Sequence, residues 1–314
     1  MKILITGGCG YVGTNLIPKL LNENHKVVNI DNQWFGNYLP RHKNLRNYKL
    51  DLSKLDKIKE KNFDVVIHLA SIANDPMAEL DKNLSWETSA LNTLRLMNFM
   101  NKNKIKRILY ASSGSVYGIK TEKKVTEKSS LEPISLYNKV KMVTERIIIS
   151  FKKIESFIIR PATVCGYSKR MRLDVTVNAL TYSALKNGII NVFGGKQVRP
   201  NIHIDDMVDL YIFFLKAKKN LAGIYNAGFE NKSILEIARK IQKIIPSKIN
   251  IIKDKNDPRS YRLNSDKLKT IGFYPQKKIE EAIIELRELY YSNQLRDKEN
   301  FYSLKWLKKK LERR

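Results

Sequence analysis

Two cysteines, Cys9 and Cys165, and four histidines, His25, His42, His68 and His203, are all that this chain of 314 residues holds of either type. Two thiols cannot build a disulfide framework, and the histidines stand at no metal-ligand spacing, so no metal is expected. Nowhere do about eighteen apolar residues run without a charge, which excludes a membrane-spanning helix. The opening Met1-Lys2-Ile3-Leu4-Ile5-Thr6 passes straight into glycines and lacks the apolar stretch and cleavage site of a signal peptide, so a cytoplasmic protein is expected. Glycine (14) and proline (9) are too scarce for a linker or collagen-like chain, and 43% hydrophobic residues are too many for a disordered one. A chain this long buries roughly three quarters of its unfolded surface, enough for one large core or two lobes.

Acidic residues are also few, 31 against 58 lysines and arginines, for a net charge of +27. That balance invites a nucleic-acid partner, yet the lysines are spread along the chain and form no dense block with interleaved aromatics. A solvated, lysine-biased surface is the preferred reading and no nucleic-acid partner is expected. An anionic partner, whether a phosphorylated small molecule, a nucleic acid or an acidic membrane, stays open. The densest run, Lys305-Trp306-Leu307-Lys308-Lys309-Lys310-Leu311, reads as a terminal helix packed by Trp306, Leu307 and Leu311.

Short apolar runs alternate with helical patterns from the first residue, the signature of a parallel sheet with crossover helices. Strands are predicted at residues 2–6, 26–30, 47–50, 65–69, 105–111 and 157–160, with helices near 12–22, 53–59, 76–101 and 135–151 between them. Six strands in βα order predict an α/β fold, a Rossmann-type doubly wound parallel sheet. The remainder loosens into helices at 173–186, 205–217 and 233–244 and strands at 189–193, 223–226 and 249–252, a smaller mixed α/β substrate-binding lobe. Residues 1–167 and 168–314 are the expected domains, with a soft boundary that segments from either half can cross.

Two signals carry chemistry. Gly7-Gly8-Cys9-Gly10-Tyr11-Val12-Gly13 places Gly-x-x-Gly-x-x-Gly between a strand and a helix, where glycines let the backbone approach a pyrophosphate and the helix N-terminus receives its charge. The second strand ends at Asp31, whose carboxylate can accept the adenosine ribose hydroxyls and repels a 2′-phosphate, so NAD is favoured over NADP. Tyr137 and Lys141 lie four apart in a helical segment and share a face. An ammonium there favours the phenolate and would make Tyr137 a general base, although two ordinary helix residues would show the same spacing. The stretch Ser112-Ser113-Gly114-Ser115 follows the fifth strand, at the rim where such sheets bind ligands.

With these pieces, and with Asp51-Leu52, His68-Leu69-Ala70-Ser71, Asn92, the run from Arg160 to Gly166, Val192-Phe193-Gly194-Gly195 and the run from Arg199 to Asp206, the chain resembles an extended short-chain dehydrogenase/reductase of the NAD-dependent nucleotide-sugar epimerase/dehydratase family over nearly its whole length. The resemblance implies Ser113, Tyr137 and Lys141 as catalytic residues. It implies a dinucleotide set of Gly7, Gly10, Tyr11, Val12, Gly13, Asp31, Asn32, Asp51, Leu52, Leu69, Ala70, Ser71 and Asn92, with Tyr137 and Lys141. Asp51 and Leu52 would lie against the adenine, and Leu69 to Ser71 beside the ribose and phosphates. Ser113 and Ser115 would meet the sugar, and Asn178 and Arg199 the substrate's nucleotide and diphosphate.

Family members begin by oxidising a sugar hydroxyl, usually at C4, and the fate of the ketone decides the product. The 4,6-dehydratases carry Asp-Glu where this chain has Gly114 and Ser115, and the 3,5-epimerising relatives place a cysteine at Ser115. Elimination leaves a nucleotide-sugar 4-epimerase or C4 dehydrogenase. A dehydratase or reductase with atypical acid and base groups, and a non-catalytic NAD-sensing or RNA-binding module, are the alternatives. Departures from the family pattern put Arg259 forward as a phosphate ligand and make Cys165 a packed thiol. Arg172, in Arg170-Met171-Arg172-Leu173-Asp174, could hold a sugar or phosphate oxygen or lie exposed. That run resembles a subgroup acting in surface-polysaccharide pathways. By analogy the apolar stripes of helices 76–101 and 135–151, with Leu91, Leu94, Met97, Val140, Val143 and Ile147, predict a homodimer.

Overall fold

The computed structural model describes residues 1–252 and 260–313. Its strands in chain order are β1 (Lys2–Thr6), β2 (Lys26–Asp31), β3 (Leu45–Lys49), β4 (Val65–His68), β5 (Arg107–Ala111), β6 (Glu155–Pro161), β7 (Thr163–Cys165), β8 (Ile189–Phe193), β9 (Val198–His203), β10 (Gly223–Ala227), β11 (Glu230–Ser233) and β12 (Lys248–Ile252). The helices are α1 (Gly13–Asn22), α2 (Asp75–Leu80), α3 (Lys82–Ser85), α4 (Asn92–Lys102), α5 (Leu136–Ser150), α6 (Thr176–Asn187), α7 (Ile204–Leu215), α8 (Ile234–Ile244), α9 (Asp266–Thr270), α10 (Ile279–Tyr291) and α11 (Ser303–Leu311).

Seven strands form one parallel sheet in the order β3-β2-β1-β4-β5-β6-β10. Alternation within a strand supplies both faces. Ile3 and Ile5 of β1 join Leu16, Ile17 and Leu20 of α1 and Tyr211 and Phe214 of α7, whereas Leu4 joins Leu96, Met97 and Met100 of α4 and Ile148 of α5. The central strands are therefore continuous apolar runs, as two-sided burial requires. Thr6 pairs with Ile30 on one side and His68 on the other, and Ala111 with Ile159, so the loops leaving β1, β2, β4 and β5 open along one edge. That edge, at the carboxyl ends of the strands, is where a doubly wound sheet binds ligands.

Four features differ from the sequence expectation. The main sheet has a seventh strand, because β10 leaves the second half of the chain to pair with β6, and α7 from the same half packs on α1. The helix expected at 76–101 is interrupted: Asn74 caps α2 by accepting the Met77 amide at 2.9 Å, extended Asp81 caps α3, and a π-helical turn at Trp86–Leu91 precedes α4. Residues Leu52–Lys57 are a 3₁₀ turn, begun by Asp51 accepting the Ser53 amide at 2.9 Å. The strands β7, β9 and β11, not anticipated, make a small sheet against the first lobe, while β8 and β12 pair separately. Cys165 is packed with Val177, Ile190, Ile237 and Ile283, which agrees with its reading as a core thiol. At the end of the chain α11 packs on α2 through Leu307 and Met77, and Trp306 donates to the Trp34 carbonyl at 2.7 Å.

Candidate active site

One cavity of about 480 Å³ runs along the carboxyl edge of the sheet and is walled on its far side by the second half of the chain. The glycine-rich turn forms its floor. Gly7 has φ +77, and a Cβ there would stand 2.5 Å from the Ala70 amide nitrogen, so only glycine lets β1 turn this close to the loop after β4. A Cβ on Gly13 would stand 2.4 Å from the Gly8 carbonyl oxygen. Tyr11 and Val12 line the cavity where α1 begins, and the positive end of the helix dipole there favours an anion. Asp31 closes the next corner, each carboxylate oxygen accepting one backbone N–H: Cys9 at 2.9 Å and Gln33 at 2.6 Å. Burial pushes this carboxyl above the usual range, and the two amides act against it.

Asn32, Asp51, Leu52, Leu69, Ala70, Ser71 and Asn92 also line the cavity, so every residue expected at the dinucleotide reaches one wall. Asn92 donates to Asp51 at 3.4 Å, tying the start of α4 to the 3₁₀ turn. Ser113, Ser115, Tyr137 and Lys141 stand together further along. The Ser113 and Ser115 hydroxyls are 2.7 Å apart, and Ser115 donates to Asn138 at 2.6 Å.

The Lys141 ammonium donates to the Ala111 carbonyl at 2.7 Å and lies 5.8 Å from the centroid of the Tyr137 ring. Burial dominates both groups. Burial pushes the Tyr137 phenol up to about 12, with the Ser113 hydroxyl acting against it, and Lys141 is not among the groups that move it. Burial also pulls Lys141 down to about 7, Glu145 opposing, and its charge in turn acts against protonation of the buried His68.

On the substrate side, Arg172 lines the cavity and donates to Asp174 at 2.8 Å, and Arg199 lines it from β9. Asn178 does not reach it. Its side chain accepts the Gly166 amide at 3.0 Å and donates to Tyr11 Oη and the Arg172 carbonyl, each at 3.0 Å, so the amide is consumed in holding the 166–172 segment against α1. Arg259 lies outside the described residues. Sequence reasoning missed Asp75, Arg170, Ser303 and Tyr261 in the wall. Asp75 had a local signal, the Asn-Asp-Pro helix start; Arg170 and Ser303 come together only through the path of the chain.

The model of the NAD dependent epimerase/dehydratase family matches residues 3–228. The chain belongs to that family. It is an NAD-dependent enzyme, and the glycine turn, the Asp31 carboxylate and the start of α1 at the cavity fit a dinucleotide on geometry alone. Among curated family relatives, UDP-glucose 4-epimerase of Lactobacillus helveticus is 26% identical over 306 residues, spanning 88% of this chain and 92% of that protein. UDP-glucuronic acid decarboxylase 1 of Danio rerio is 27% identical over 319 residues, spanning 95% and 74%. The crystal structure of UDP-glucuronic acid 4-epimerase from Bacillus cereus, in complex with UDP-glucuronic acid and NAD, superposes with a TM-score of 0.80 at 26% identity, covering 93% of this chain and all of that one. Identity does not separate these activities within the family, so the distinction has to come from the side chains around the sugar.

Proposed function

We propose that this enzyme inverts the configuration at C4 of a UDP-activated sugar, keeping its NAD through the cycle. NAD, when bound, supplies the hydride acceptor and donor. Tyr137 exchanges the proton of the sugar's 4-hydroxyl, the linked Ser113 and Ser115 hydroxyls hold that oxygen, and Lys141 keeps the wall behind them in register through Ala111. Arg199 and Arg172, with Arg259 from the family pattern, would neutralise the diphosphate. Uridine as the base is taken from the names of the relatives.

The observation that carries the choice of chemistry is Gly114. Eliminating water across C5 and C6 needs an acid and a base next to Ser113, and a Cβ at residue 114 would stand 2.7 Å from Leu263 Cδ1 and 3.1 Å from the Pro161 carbonyl oxygen. The position is filled from the second lobe, and its neighbour Ser115 cannot titrate near neutrality. One observation favours a second reading: the Asp75 carboxylate lines the same cavity and raises the Tyr137 phenol, so an acid or base of different origin is at hand for dehydration. Incubating the protein with a panel of UDP-sugars and resolving the products by NMR separates the two. A C4 epimer supports the proposal; a product lighter by one water assigns the second reading; no change in any sugar sinks both.

A homodimer through α4 and α5 belongs to the same proposal. Leu91 and Leu94 remain exposed and Val143 and Ile147 partly so, whereas Met97 and Val140 are buried within the chain and drop out of the predicted stripe. Light scattering of the purified protein tests it. Among the described residues no helix is long and apolar enough to cross a membrane. A cytoplasmic role in making sugars for surface polysaccharides completes the proposal, supported by the Arg-Met-Arg-Leu-Asp run.

A further inference from the structure

Arg170 is 3% exposed, and no carboxylate among the described residues lies within ion-pair distance of its guanidinium. Of its five N–H groups, one on Nη1 donates to the Met171 carbonyl at 3.2 Å and one on Nη2 donates to Ser303 Oγ at 3.0 Å. Nε is buried with no acceptor. A buried cation with no direct ion pair and an unpartnered N–H is costly, and a bound anion would offset that cost. Burial pulls this guanidinium down to about 9, Arg172 adding to the fall and the more distant Asp174 and Asp31 carboxylates opposing it.

Its position says which ligand. Residues 166–168 are fastened to the first turn of α1: Tyr11 Oη donates to the Gly166 carbonyl at 2.6 Å, Thr14 and Ser168 share a hydrogen bond of 2.6 Å, and Asn15 donates to the Tyr167 carbonyl at 2.9 Å. Two residues further on, the Arg170 guanidinium stacks on Phe35, in the loop after β2, at 4.3 Å from the ring centroid. Arg170 thus lines the cavity along with the glycine-rich turn, and lies close enough to Asp31 for the two charges to interact. The buried guanidinium with its unpartnered Nε and the positive end of the α1 dipole face the same stretch of cavity, where an anion would meet both.

We infer that Arg170 is the counter-charge for the pyrophosphate of the bound dinucleotide, delivered from the second half of the chain and held in place by the C-terminal segment through Ser303. The inference rests on the cavity holding NAD and is independent of which sugar is turned over. The C-terminal segment braces the guanidinium from two sides. Ser303 orients Nη2 while its own amide donates to Asp174 at 2.8 Å, and Asn300 donates to the Phe35 carbonyl at 2.7 Å, which steadies the ring under the guanidinium. A cofactor that must return its hydride to the same sugar is thereby kept from leaving between the two half-reactions.

The test uses the full chain stripped of nucleotide, with NAD, ADP-ribose and adenosine as probes in calorimetric titrations and no sugar present. Arg170→Met keeps the length and apolar packing over Phe35 and removes the charge. The expected result is a loss of roughly ten- to hundred-fold in affinity for NAD and for ADP-ribose, the range of a charge-assisted hydrogen bond, with adenosine binding unchanged. Arg170→Lys recovers part of the loss, and Ser303→Ala shows a smaller loss with the same probe pattern. Equal weakening of adenosine, or undiminished binding of NAD, overturns the inference. So does a loss confined to UDP in a parallel titration, which would move Arg170 to the substrate diphosphate. If Arg170→Met does not fold, Arg170→Lys and Ser303→Ala decide by the ratio of ADP-ribose to adenosine affinity, which must fall in both. A failure to epimerise any sugar would leave these titrations untouched.

Discussion

Replacing Lys141 with methionine tests the electrostatics of the proton-transfer site without any substrate. The ammonium sits at about 7 in the folded protein against 10.5 for the side chain in water. The folded value lies below the unfolded one, so between about pH 7 and 10.5 the unfolded chain carries a proton on this lysine that the folded chain does not. Raising the pH through that window therefore favours folding, and lowering it towards 7 brings in the cost of burying the charge. Each factor of ten in proton affinity is about 1.4 kcal/mol, so the cost is on the order of 5 kcal/mol when fully present and should change by about 2 kcal/mol between pH 7 and 9. Lys141→Met loses the 2.7 Å bond to the Ala111 carbonyl at every pH, which is a constant offset. The assay is urea unfolding of nucleotide-free protein at pH 7, 8 and 9, wild type beside the variant. Buried thiols and phenols titrate alike in both, so the difference isolates the lysine. Wild type should gain on the variant steadily as pH rises. A difference that stays flat across the three pH values would refute the claim that burial, and not a phenolate partner, governs this ammonium.

Tyr137→Phe should slow cofactor reduction by a UDP-sugar roughly 10²–10⁴-fold while leaving NAD affinity within error, read by rapid-mixing absorbance and by titration. Gly13→Ala should lower the melting temperature and abolish NAD binding, because its Cβ would fall 2.4 Å from the Gly8 carbonyl oxygen and 2.5 Å from Gly8 Cα, with no flexible side chain to give way. Glu145→Gln should destabilise by about 3–5 kcal/mol in urea, because it leaves the Arg160 guanidinium buried without the carboxylate it meets at 2.6 and 2.9 Å.

Whatever depends on near neighbours in the chain could be read before the fold was known. The strand, glycine turn and helix from Lys2 to Asn22, the acid at the end of β2, and the Tyr137/Lys141 spacing on one helix are set by residue type and by periods of two and 3.6. The broken helix after Ala73 was legible in principle from Asn74 and Asp81, whose side-chain caps compete with an apolar pattern that looks continuous, and from Pro76 in the first turn of α2. Strands β7, β9 and β11 were not, because strands of three to six residues that pair across a crossover carry too little local pattern to declare themselves.

The linear order of residues determined by itself that this chain winds a parallel sheet, turns on glycine where a pyrophosphate can come close, and places hydroxyls and a phenol at the rim. Packing alone decided the rest: that Asn178 faces inward, that Leu263 fills the space beside Gly114, that Arg170 meets Phe35 and Ser303, and that Lys141 is buried with its ammonium on the Ala111 carbonyl. The physical reason is that desolvation and Coulomb energy depend on everything that surrounds a group, and most of what surrounds these groups arrives from distant parts of the chain.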